Sequence, residues 1–190
     1  MKQAEIATFI NTTLTGGILN NSRFQKGSYS SVAELVLKTD DDETTVPMIV
    51  SDTGQGTDVT VNDIYPIQIY HRIEDVSIES DFEDGFGSQE RKIETSDMLM
   101  IVIGDRMKLQ LPKEDIITGI ASAFPGVWTP TVNYITQSDI VMGDINMNTN
   151  EVYNGEYNSV PELPPNYFMA SISYQILNTI NKNCLELCTM

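Results

Sequence analysis

Six consecutive apolar residues, Met98 to Ile103, make the most apolar run of the chain. The run is too short to cross a membrane and suits a strand buried on both faces. Gly104-Asp105 predicts a turn, after which Met107, Leu109 and Leu111 alternate with Lys108 and Gln110 and predict a half-buried strand. Pro112 stands where a helix can begin, because its missing N–H costs nothing in a first turn. Glu114 and Asp115 place negative charge at the positive end of that helix. Ile116, Ile117, Ile120 and Phe124 give it one apolar stripe, and Pro125-Gly126 ends it. A strand hairpin feeding a short helix is the expected core.

The same two periods recur along the rest of the chain. Ile6, Phe9, Ile10 and Leu14, with Ala7 beside them, predict an amphipathic helix over residues 2–14, stopped by Gly16-Gly17. Residues 18–30 are polar and irregular and predict a loop, with Arg23 and Lys26 as a small basic island. Val32–Leu37 and Val46–Val50 predict strands on either side of an acidic connection. Ile64–Ile78 predicts a long extended segment with Ile67, Ile69, His71 and Ile73 on one face. Gln68, Tyr70, Arg72 and Glu74 fall on the other, where Arg72 is placed to pair across strands with Glu74 or Glu90. Tyr167–Ile180 predicts a closing strand with Phe168, Ala170, Ile172, Tyr174 and Ile176 facing one way. Residues 126–166 are rich in Asn, Gly and Pro, and predict an inserted loop or arm. These patterns together predict a single α+β domain over residues 1–190. Its sheet is mixed or antiparallel, with an N-terminal helix and one central helix packed on it.

Composition narrows the function. Against 27 Asp and Glu stand 11 Lys and Arg, a net charge of −16. Such a surface repels phosphate backbones, so a conventional nucleic-acid binder is not expected. The N-terminus MKQAEIATFINTTL lacks the unbroken apolar core of a secretory signal. No run approaches the roughly 18 apolar residues of a membrane span. Cys184 and Cys188 lie four apart, far from the single His71, and predict reduced thiols in a chain made inside a cell.

No motif for catalysis or metal binding is complete. Asp40, Asp41, Asp42 and Glu43 are adjacent, without the alternate spacing that lets ligands converge. The Gly-x-Gly at 54–56 leads into a strand-like stretch, where a phosphate loop would open a helix. A calcium loop beginning at Asp81 would have Phe86 and Lys92 at its sixth and twelfth positions, which excludes it. Asp144, Asn146 and Asn148 begin like one, but Thr149 and Gly155 replace the turn glycine and the final glutamate. His71, with no nucleophile or second histidine at motif spacing, is read as a structural hydrogen-bonding group. The expectation is therefore no catalytic residue, no cofactor and no metal. Trp128 and Tyr134 fit either an interface anchor or a core aromatic, and with Tyr153 they are the candidate interface residues. Two alternatives stay open: a small acidic accessory or regulatory protein, or an enzyme using loop carboxylates such as Asp81, Glu83 and Asp84.

Several phrases carry a family likeness: IYHRIEDVSIES, FEDGFGSQE, MLMIVIGDRMKLQLPKEDIITGIASAFP and FMASISYQI. With the order of predicted elements, they resemble the tail-terminator-like neck and tail ring proteins of tailed bacteriophages, the crAss-like phage group in particular. The likeness covers residues 64–124 and 167–180, and more loosely the N-terminal helix. It implies an α+β subunit without catalytic residues, assembled as a homo-oligomeric ring, hexamer or dodecamer, that joins head to tail. The partners so implied are further copies of the chain, neighbouring neck and tail proteins, and genomic DNA that slides through the lumen without specific binding. The resemblance implies no membrane partner; its place is the neck or tail of a virion made in the host bacterial cytoplasm.

Overall fold

A computed structural model describes residues 2–16, 28–32, 35–39, 45–50, 56–58, 61, 65–81, 91–129, 135–152 and 163–181. Helix α1 (Lys2–Gly16) is followed by strands β1 (Ser28–Val32), β2 (Leu35–Thr39), β3 (Thr45–Val50) and β4 (Gly56–Asp58). Two long strands come next, β5 (Ile67–Asp81) and β6 (Arg91–Asp105), then the short helix α2 (Arg106–Leu109) and α3 (Lys113–Ser122). The chain continues through β7 (Val127–Trp128), β8 (Ile135–Asn146), a 3-10 turn (Thr149–Glu151) and β9 (Tyr167–Asn181). The main sheet is ordered β1-β5-β6-β9-β8-β7, antiparallel from β5 to β7, with β1 parallel to β5 at one edge. A three-stranded antiparallel sheet, β2-β3-β4, accompanies it. The fold is α+β, as the periodicities predict.

The apolar run 98–103 lies in β6, between β5 and β9. Successive side chains of a strand point to opposite faces, so an unbroken apolar run needs cover on both. On one face Met98, Met100 and Val102 join Ile67, Ile69, Phe168, Ala170 and Ile172 beneath the helices. There Ile6, Ile10 and Leu14 of α1 and Ile116, Ile117 and Ile120 of α3 complete the main core. On the other face Ile101 and Ile103 pack with Tyr70, Tyr167, Met169 and Val152, with Leu163 partly buried against them.

Gly104 is required by packing. A Cβ there would lie 2.4 Å from Cε1 of Phe168, whose ring is buried in the main core. Gly104→Val is expected to force that ring out of place and cost ~1–3 kcal/mol. Urea unfolding followed by circular dichroism checks this; an unchanged midpoint would show that the ring has room to move.

Three expectations are corrected. Gly104-Asp105 is not a turn: β6 runs through Asp105, and Arg106–Leu109 closes a helical turn in place of the second strand. The cause is Asp105, whose carboxylate accepts the N–H groups of Met107 at 2.9 Å and Lys108 at 3.3 Å and so caps α2. Residues 28–30, expected in a loop, belong to β1, which pairs with β5 from Ser28↔Ile67 to Val32↔His71. The arm expected over 126–166 contains β8, a 12-residue strand hydrogen-bonded to β9. Residues 135–146 are thus part of the sheet and not an insertion into it.

Candidate functional site

One polar spot in the core is built around the chain's one histidine. His71 faces the helices from β5 and is 0% exposed. Its Nδ1 lies 2.9 Å from the Tyr174 hydroxyl on β9, and its Nε2 lies 3.1 Å from Asn11 Oδ1 on α1. With Asn11 presenting oxygen, Nε2 carries the proton and donates, while Nδ1 accepts from the hydroxyl. The Tyr174 ring also makes edge contacts with the rings of His71 and Phe124. Burial pushes the His71 pKa from 6.5 down to about 3 and raises that of Tyr174. A neutral, sealed imidazole with both nitrogens engaged joins helix to sheet and offers no open position to a substrate.

A second polar ladder crosses the same face farther along the strands. Ser138 Oγ on β8 donates to Asn178 Oδ1 on β9, and Asn178 Nδ2 donates to Glu94 Oε1 on β6 at 3.0 Å. All three residues are buried. Their bonds to one another make burial tolerable, and each link fixes the register of two neighbouring strands.

Facing away from the helices, a groove of about 320 Å³ runs beside β8. Leu99, Ile145 and Val152 supply apolar wall, and Asp144 and Glu151 stand on its rim. Arg72 also lines it, with its guanidinium 3.1 Å from Glu74 Oε1. The pair expected across strands therefore lies along β5 itself, next to the bulge between Ile73 and Asp75. A bulge at Met142–Ile145 shapes the other side. There Ser173 Oγ accepts the Asp144 N–H at 2.7 Å and steadies the displaced backbone.

The interface candidates are not gathered at this groove. Trp128 is 9% exposed and packs in the main core, which leaves its ring little surface for a partner. Tyr134 and Tyr153 lie outside the described residues, as do Glu83, Asp84, Glu90, Cys184, Cys188 and the acidic run 40–43. Asn146 and Asn148 are occupied locally, their side chains accepting the N–H groups of Asn148 and Asn150. Among the described residues no three His, Cys, Asp or Glu side chains converge as a metal site would require, and no helix is long and apolar enough to cross a membrane. The groove and the edge beside it were not foreseen. Their signal was the run Ile140-Val141-Met142 before Gly143, an apolar stretch set in Asn-rich sequence. No protein-family model matches the chain, and a search of curated proteins returns no match either.

Proposed function

We propose that the chain is a structural subunit of a homo-oligomeric ring in the neck or tail of a tailed phage, around the channel through which DNA passes. The observation that carries the reading is where the family-like stretches fall in the fold. Residues 64–124 and 167–180 supply β5, β6 and β9, the adjoining centre of the sheet, together with α2 and α3. The stretches that carry the resemblance thus adjoin one another in the sheet. The net charge of −16 supports it further, because an acidic wall lets phosphate slide past without gripping it. The polar groups of the core fit a structural role, since His71, Tyr174, Asn178 and Glu94 are hydrogen-bonded to one another, to helix α1 or to a neighbouring strand.

Native mass measurement tests the proposal on the purified chain, alone and with extract of assembled particles. The expected result is one fixed multiple of the monomer mass, hexamer or dodecamer, in at least one setting. A monomer in both settings contradicts the ring.

A further inference from the structure

β8 leaves a length of sheet edge without a neighbouring strand among the described residues. Among the described residues, β7 pairs with β8 only at Ser138 and Asp139, and the Ile140 N–H then reaches Gly126 O at 2.8 Å. Beyond that bond no described strand lies on the outer side of β8. Val141, Met142, Gly143, Asp144 and Ile145 are exposed in unbroken succession, which a covered strand, alternating in and out, does not show. The Ile140 amide points outward, so by the two-residue repeat the N–H and C=O of Met142 do as well. Natural edges are commonly blunted with lysine or proline. The stretch 140–146, IVMGDIN, has neither, and its bulge at Met142–Ile145 leaves Ile140 to Met142 as the regular part of the edge.

The edge has a chemical preference built beside it. The groove at its inner flank has Leu99 and Val152 for wall and Asp144 and Glu151 at the rim, while Arg72 is matched by Glu74. Asn146, Ser171 and Ser173 complete the lining, so the trough is part apolar and part polar with unmatched negative charge. It suits a lysine or arginine side chain, stem against Leu99 and Val152 and cation beside Asp144 and Glu151. We propose that the outer edge of β8 receives an extended segment of another protein as an added strand, with a Lys or Arg side chain lodged in this groove. A second copy of β8 is the wrong occupant. Self-pairing would bring together two chains each carrying −16 and would leave Asp144 and Glu151 of the groove without a cation. The proposal holds whether or not the chain forms a ring.

The test is a titration of the isotopically labelled full chain with the peptide acetyl-Gly-Thr-Val-Lys-Val-Thr-Gly-amide. Two companions are used: one with glutamate for the lysine, one with both valine amides N-methylated. Amide shifts and hydrogen exchange at residues 140–146 report binding. The lysine peptide is expected to shift and protect these amides. The glutamate peptide should bind about tenfold more weakly, and the methylated one not at all. Met142→Pro removes an outward N–H at a position where an edge strand tolerates proline, and should abolish binding with the circular dichroism unchanged. Glu151→Lys should reverse the preference for lysine over glutamate. The proposal is overturned by equal binding of the two charged peptides, or by no response at 140–146 with millimolar peptide. Protection that rises with protein concentration alone would give the edge to a second copy and overturn it too.

Discussion

Ile120→Asp is expected to lower the stability of the chain by ~3–5 kcal/mol, the cost of an unpaired charge in an apolar core. Ile120 is 0% exposed and shares the main core with Ile116 and Ile117 of α3 and with the central strands. A carboxylate there finds no partner cation, since no Lys or Arg is among the described buried residues and the neighbours of Ile120 in the cluster are apolar. It must either remain charged in a dry site or take up a proton, and both cost free energy. The measurement is the denaturant midpoint, with Ile120→Val as the conservative control. Ile→Val removes one methylene and should cost only ~0.5–1.5 kcal/mol. An aspartate variant as stable as the parent would show that the stripe of α3 is not held in the core.

Stability is also expected to fall on mild acidification, through His71. The imidazole is neutral in the fold, with its pKa lowered to about 3 from 6.5, so the unfolded chain binds the proton more readily. The contribution is fully present above pH 6.5 and is lost progressively as the pH falls towards 3. By pH 5 the loss amounts to roughly 2 kcal/mol. Between pH 6.5 and 5 no other side chain of this composition has its ordinary pKa, since the chain has a single histidine. His71→Gln should therefore flatten the dependence in that window. At pH 7.5 it should cost ~1–3 kcal/mol, because the Tyr174 hydroxyl and Asn11 lose their partner. Denaturant midpoints for parent and variant at a series of pH values check both effects. A parent curve flat from pH 6.5 to 5 would mean that His71 takes up its proton in place.

The sequence disclosed those parts of the fold in which one residue type serves one face. Ile6, Ile10 and Leu14 mark the buried side of α1, and Phe168, Ala170, Ile172, Tyr174 and Ile176 mark the helix-facing side of β9. His71 was legible as a structural group for the same reason, lying in register with Ile67 and Ile69. The failures came where polar side chains take over the work of apolar ones. Met107 and Leu109 alternate as a strand would, yet Met107 is 74% exposed and Leu109 0%. In a helix, residues two apart point about 200° away from each other, and the cap from Asp105 decides for the helix.

β8 was hidden by a similar exchange. Its buried positions include Ser138, which is satisfied by Asn178, while Val141 and Met142 are exposed at the edge. A pattern search for buried apolar residues sees such a strand inside out. The groove was less legible still, because its residues are scattered over β5, β6, β8, β9 and the 3-10 turn, none of which contributes more than three. Only the pairing of strands brings those residues together.

The most direct measurement of the functional account is a density map of the assembled particle, at a resolution that traces this fold. The account predicts identical copies of the chain arranged around the axis of the neck or tail, with the DNA path running through them. A single copy standing away from that path, or none in the particle, would contradict it.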